Sequence, residues 1–198
     1  MADGKDRVHD DSWRVMGADG WGRIYIGPGG RMFRRMDLRK ASRDPWVWGQ
    51  VALVGLVVVL TPLLSRYVSL GDADYALNRV DPTWIRALGG LLAGAGLALA
   101  VWGVRSLGPS LTPGTEPLPG APLVTGGAYA HLRHPIYGGI VLLLAGYALA
   151  WSNWTIALVV GIVALQYFEA KAGAEERWLM GRYPDYQRYA VHVRRRVL

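Results

Sequence analysis

The sequence predicts an all-α polytopic membrane protein with about four transmembrane helices and a C-terminal cytoplasmic helical and tail segment. Three observations predict it. Hydrophobic residues make up 52% of the 198 residues, and they collect in four blocks. Charged residues are only 19%, below the roughly 25% usual for soluble domains. The basic residues flank the apolar blocks and do not interrupt them, the pattern of charges that set orientation in a bilayer. Length suggests one membrane domain, residues 47–198, after an N-terminal arm, residues 1–46.

The arm is polar, with a basic run at Arg34, Arg35, Arg39, Lys40 and Arg43, and Gly27-Pro28-Gly29-Gly30 predicts a turn in it. It lacks the apolar core of a leader peptide, so the first hydrophobic block is expected to be an internal anchor. Span one is predicted from about Val47 to Val68 through LVGLVVVL, with Pro62 kinking its last turns. An acidic connection follows, with Asp72, Asp74 and Asp81 against Arg79. Span two covers about Ile85 to Leu107. Its Gly90 and Gly94 form a small-xxx-small pair suited to close helix packing. Gly94-Ala95-Gly96 matches a nucleotide fingerprint only in part and follows no strand, so it is read as membrane helix.

Residues 108–135 carry Pro109, Pro113, Pro117, Pro119 and Pro122, then Gly126-Gly127. Such a stretch cannot span; it is a long loop, and Pro135 suits the first turn of the next helix. Span three is predicted from about Ile136 to Trp151. Ser152-Asn153 turns the chain into span four, about Trp154 to Phe168. Both are short for a hydrocarbon core of about 30 Å. Strong helix formers after Phe168 extend span four out of the membrane. The arm, the loop between spans two and three and the tail are basic, which places both termini on the cytoplasmic side of a bacterial-type inner membrane.

Absence of cysteine excludes disulfides, thiolate metal sites and a cysteine nucleophile. His9, His131, His134 and His192 are too scattered for a zinc pattern, so no metal is expected. The net charge of +7 lies mostly beside apolar spans and reads as headgroup contact, with no nucleic-acid partner. Under this topology three polar sets share one membrane face. They are His131, Arg133, His134 and Tyr137 at the mouth of span three; Glu175, Glu176 and Arg177 beyond span four; and Tyr183, Tyr186, Tyr189, His192 and Arg194 in the tail. The tight three-to-four turn brings the first two sets together. Cations, carboxylates and rings so gathered can hold a polar, zwitterionic ligand, while the same residues also suit interfacial anchoring and a solvated helix face.

The run LVTGGAYAHLRHPIYG, Leu123 to Gly138, centres on Arg133-His134-Pro135-Ile136-Tyr137. Together with Glu175-Glu176-x-x-Leu179 and Tyr183-x-x-Tyr186-x-x-Tyr189 it resembles the signature of the isoprenylcysteine carboxyl methyltransferase and phospholipid methyltransferase superfamily. The resemblance covers roughly residues 85–198, and Gly127-Ala128-Tyr129 departs mildly from the commonest glycine-proline-tyrosine wording. It implies an all-helical membrane methyltransferase whose cofactor, S-adenosylmethionine, is held by Tyr129, Arg133, His134, Tyr137, Glu175 and Glu176 in a pocket formed by about 123–138 and 169–198. Glu176 and Arg194 are the implied catalytic residues, Arg194 orienting the acceptor. The implied partner is a membrane lipid or lipid-like acceptor with a carboxylate or an amine; an amine requires a base, with Glu176 or a histidine as candidate. Two other classes compete. A non-catalytic assembly partner of the same fold would have a degenerate pocket, yet the five core residues are all present. A channel or transporter would carry charge in mid-span, where none is found.

Overall fold

The computed structural model describes residues 42–65, 82–118, 120–151 and 154–198, together with the backbone of three short strands nearer the N-terminus. His9, the Gly27–Gly30 turn, Arg35, Arg39, Lys40, Arg66, the acidic connection from Asp72 to Asp81, Pro119 and the Ser152-Asn153 turn lie outside the described residues.

The strands are an addition to the all-α expectation. β1 (Arg14–Met16), β2 (Ile24–Ile26) and β3 (Met32–Arg34) form an antiparallel sheet in the order β1-β2-β3, with Tyr25 opposite both Val15 and Phe33. Each is a triplet of β-branched, aromatic or long side chains, too short for an alternating pattern to stand out in the sequence.

Four longer helices follow: α1 (Pro45–Leu64), α2 (Pro82–Leu107), α3 (Pro135–Ala150) and α4 (Trp154–Arg182). A short α5 (Tyr186–His192) closes the order. Asp44 starts α1 by accepting the Trp46 N–H at 2.9 Å, with Pro45 at the first helical position, where its missing N–H leaves nothing unpaired. Three of these helices, α1, α2 and α4, are long and apolar enough to cross a membrane; α3 has 16 residues. Large apolar side chains point outward from all three, among them Leu56, Leu91 at 72% exposure, and Ile162. In water such surfaces would be severely unfavourable; against lipid tails they are the matched solvent. The protein is an integral membrane protein.

α3 is the buried helix, packed between α2 and α4. The α2–α3 seam is built from glycine, though not from the predicted pair. Gly90 and Gly94 face open space, whereas Gly89, Gly96 and Gly103 press on α3. A methyl on Gly96 would come within 2.6 Å of the Gly139 carbonyl, and one on Gly146 within 2.7 Å of the Gly89 carbonyl. Glycines seven residues apart return to the same face of a slightly left-handed pair, so the backbones touch along the full length of α3. The glycines chosen from four-residue spacing are instead on the lipid side. On its other face α3 joins α4 through Val141, Leu144, Ala148, Val160, Ala164 and Phe168. α1 is tethered more sparingly, by Tyr147 Oη donating to the Val58 carbonyl at 3.0 Å and Tyr167 Oη donating to that of Trp46.

Candidate active site

α4 is 29 residues long, about 43 Å at 1.5 Å per residue. A hydrocarbon core of about 30 Å leaves its last turns outside, and these carry Glu175 and Glu176, with Glu169 and Lys171 on the turns just before them. Opposite them lies the entry to α3. Gly127, held at φ +61°, opens a 3-10 turn (Gly127–Ala130), and the Ala128 N–H donates to Ser106 Oγ at 3.1 Å. A side chain at Gly127 would strike Ser106 as well as strain the backbone, so glycine is required there. The chain then turns at His134, the residue before Pro135, into α3.

The end of the chain folds back onto that entry. Arg133 and His134 donate their N–H groups to the carbonyls of Arg195 and Arg196, at 3.0 and 2.8 Å, and Val197 is fully buried in the core. This strand-like pairing fixes Arg196 beside α4. Its guanidinium grips Glu176 in a fork, Nε to Oε1 at 3.2 Å and Nη2 to Oε2 at 3.0 Å, and reaches Glu169 through Nη1 at 3.2 Å. Glu176 also takes Arg133 Nη1 at 3.2 Å and His134 Nε2 at 3.3 Å. Only 2% of Glu176 is exposed.

His134 stands between two carboxylates, with Nδ1 3.4 Å from Glu175 Oε2. Burial disfavours its charge, but Glu175 and Glu176 outweigh that, and its pKa rises above the ordinary value. The ring lies parallel to that of Tyr137, centroids 5.3 Å apart. Tyr137 donates its hydroxyl to Glu175 at 2.9 Å and leans on Phe168. The five residues of the two sequence blocks therefore form one connected network.

Beside the network is a cavity of about 330 Å³, within the size range of small-molecule sites. Tyr129, Arg133, His134, Tyr137 and Glu175 line it; Glu176 does not, and sits behind them. Its far wall is apolar and comes from the proline-rich loop, including Leu111, Pro117, Leu118 and Leu123. That loop is pinned from three sides. Asp44 accepts from Thr115 N at 2.7 Å and Thr115 Oγ1 at 3.0 Å; Lys171 Nζ donates to the Pro113 carbonyl at 3.2 Å; Tyr183 donates to the Ala121 carbonyl at 2.7 Å. Although burial pushes the Asp44 carboxyl up, the bonds from Thr115 and Trp46 prevail and keep it ionised below its ordinary value. Tyr189 donates to the Tyr129 carbonyl at 2.7 Å, and burial lifts its own phenol to about 12, so it remains a donor.

Other expected residues lie apart. Arg194 is exposed, and the tail arginine that enters the network is Arg196. His131 is exposed with its ring near Trp102; His192 is exposed against the Arg188 carbonyl; Arg177 points outward. Lys171, Gln50 and Ser110 line the cavity without having been singled out in the sequence. Lys171 had a readable signal: four residues before Glu175 and eight before Leu179, it shares their helical face.

A model of the phospholipid methyltransferase family matches residues 84–186, from α2 through α4 to the start of α5. The chain is also similar to protein-S-isoprenylcysteine O-methyltransferase of Schizosaccharomyces pombe, with 32% identity over 72 residues, 36% of this chain and 30% of that protein. It thus spans less than a third of that relative's length.

Proposed function

The chain belongs to the phospholipid methyltransferase family, and we propose that it transfers a methyl group from S-adenosylmethionine to a lipid-like or membrane-associated acceptor bearing a carboxylate or an amine. One observation carries the reading: the Arg133-His134-Tyr137 block and Glu175 line a single cavity that is charged on one wall and apolar on the other, at the end of membrane helices. A zwitterionic nucleoside and an acyl or prenyl chain need those two walls together.

The side chains suit such a cofactor. Ser110 Oγ and Arg133 Nε are buried at the cavity and lack a hydrogen-bond partner among the described residues, a state that a polar ligand relieves. Glu175 offers the cavity a carboxylate, the complement of a cationic ligand, and the rings of Tyr129, Tyr137 and Tyr186 offer faces for a base. When bound, the cofactor supplies a methyl group activated by its sulfonium. The protein's part is alignment and charge placement, with no covalent protein nucleophile. In this reading Glu175, His134 and Arg133 meet the ligand. Glu176 acts behind them as the anion that gathers Arg133, His134 and Arg196, since a carboxylate held by three cations is a poor base. A carboxylate acceptor is already ionised; for an amine, Glu175 is the better placed proton acceptor.

We further infer that residues 47–198 form the membrane domain after the arm 1–46, that α3 is a fourth crossing, and that the cavity opens to the cytoplasmic side. A helix of 16 residues covers about 24 Å, and burial between α2 and α4 spares α3 from spanning lipid by itself. Arg105, Arg133, Arg182, Arg188 and Arg194 to Arg196 all lie at the cavity end.

The reading is tested by incubating the detergent-purified protein with methyl-labelled S-adenosylmethionine and a bacterial membrane lipid extract. Label entering the organic phase supports it. Base-labile label identifies an ester and hence a carboxylate acceptor, and base-stable label an amine. No label from a folded sample, across carboxylate- and amine-bearing lipids, contradicts it and favours a binding or assembly partner.

A further inference from the structure

Lys171 stands in the wall of the cavity with 1% of its surface exposed. Its ammonium has three hydrogens to place. One goes to Gln50 Oε1 at 2.6 Å and one to the Pro113 carbonyl at 3.2 Å, both neutral acceptors, while the nitrogen sits 5.1 Å from the centre of the Tyr137 ring. Among the described residues no carboxylate pairs with it. Asp44 and Glu175 bear on its charge from farther away, but Asp44 is committed to Thr115 and Trp46, and Glu175 to Tyr137 and His134. A buried ammonium with only neutral contacts is costly, and a hydrophobic residue of its size would fill the same space without that penalty. The remaining hydrogen and the unmatched charge adjoin the cavity.

We propose that Lys171 is the oxyanion-recognising group of the cavity, taking the carboxylate or phosphate of a bound ligand in a charge-assisted hydrogen bond. The inference rests on the cavity being the binding site described above. Two ligands could bring the oxyanion: the amino-acid end of the methyl donor, or the acid group of a lipid-like acceptor. Gln50 and Pro113 hold the ammonium in place, so α1 and the proline-rich loop aim it and α4 supplies it.

Two pairs of probes separate the sources. S-adenosylhomocysteine is compared with S-adenosyl-3-thiopropylamine, which lacks only the carboxylate, and oleate with oleamide. Binding of each is measured to the wild type, Lys171→Gln and Gln50→Glu. The second variant leaves the lysine in place and gives it an internal counter-ion, so it still decides the matter should Lys171→Gln fail to fold.

The wild type is expected to prefer the acid of one pair by roughly tenfold or more, the worth of a charge-assisted bond. That preference should fall below about twofold in both variants through loss of affinity for the acid, while affinity for the carboxylate-free member, the amine cation in one pair and the neutral amide in the other, does not fall. Collapse in the nucleoside pair assigns the lysine to the methyl donor, and collapse in the oleate pair to the acceptor. No acid preference in the wild type, or one that survives in both variants, overturns the proposal. A wild type that binds neither nucleoside counts against the methyl-donor reading, and the oleate pair still tests the lysine.

Discussion

At the scale of single residues, two adjacent carboxylates hold different places. Glu175 faces the cavity, and Glu176 lies behind it under three cations. Glu175→Gln should therefore weaken S-adenosylhomocysteine binding roughly tenfold with little change in thermal stability. Glu176→Gln takes the carboxylate from Arg133 and leaves His134 and Arg196 with one each, Glu175 and Glu169. Removing one partner of a buried pair costs about 3 kcal/mol or more, so its unfolding midpoint in detergent should fall as well. Equal midpoints for the two variants would contradict this division. His134 gives a pH signature. Its folded pKa lies above the ordinary 6.5, so its contribution to stability is full below that value and is lost as pH rises through the folded pKa. Melting midpoints taken from about pH 5 to about pH 9 should decline on the alkaline side, and the decline should flatten in His134→Gln. Arg133, His134, Tyr137, Glu175 and Glu176 were legible because two blocks with fixed wording carry them. Arg196 was not. The sequence presents Arg194, Arg195 and Arg196 as a run, and only the pairing of the tail with residues 133 and 134 selects one of them.

At the scale of elements, the helices were legible from apolar blocks and proline punctuation, and their contact faces were not. Several glycines in α2 are compatible with more than one seam, and the choice depends on the crossing with α3. The structure selects Gly89, Gly96 and Gly103. Gly96→Ala should lower stability by about 1–3 kcal/mol, the usual cost of overpacking. Gly94→Ala, on the open face, should be neutral or slightly stabilising through helix propensity. The comparison is made by thermal unfolding in one detergent, and an equal loss in both would contradict the seam. The overhang of α4 was legible as helix formers after Phe168. The meeting of the tail with the entry to α3 was not, because a pairing of backbone groups across more than 60 residues leaves no spacing in sequence.

At the scale of the whole molecule, α1, α2 and α4 turn apolar faces outward, and the polar network gathers at one end of the bundle. The chain has no cysteine, so single replacements report sidedness cleanly. Thr125→Cys, exposed near the cavity end, should react with an impermeant maleimide in inverted vesicles and be protected in right-side-out ones. The reverse pattern would overturn the proposed orientation while leaving the fold untouched. The central claim is that the two sequence blocks build one methyl-donor site, and calorimetric titration of the purified protein with S-adenosylhomocysteine tests it most directly. The account predicts saturable binding near one per chain, weakened roughly tenfold by Glu175→Gln in a protein that remains folded. Absence of binding by folded, monodisperse wild type, or binding indifferent to Glu175, would contradict it.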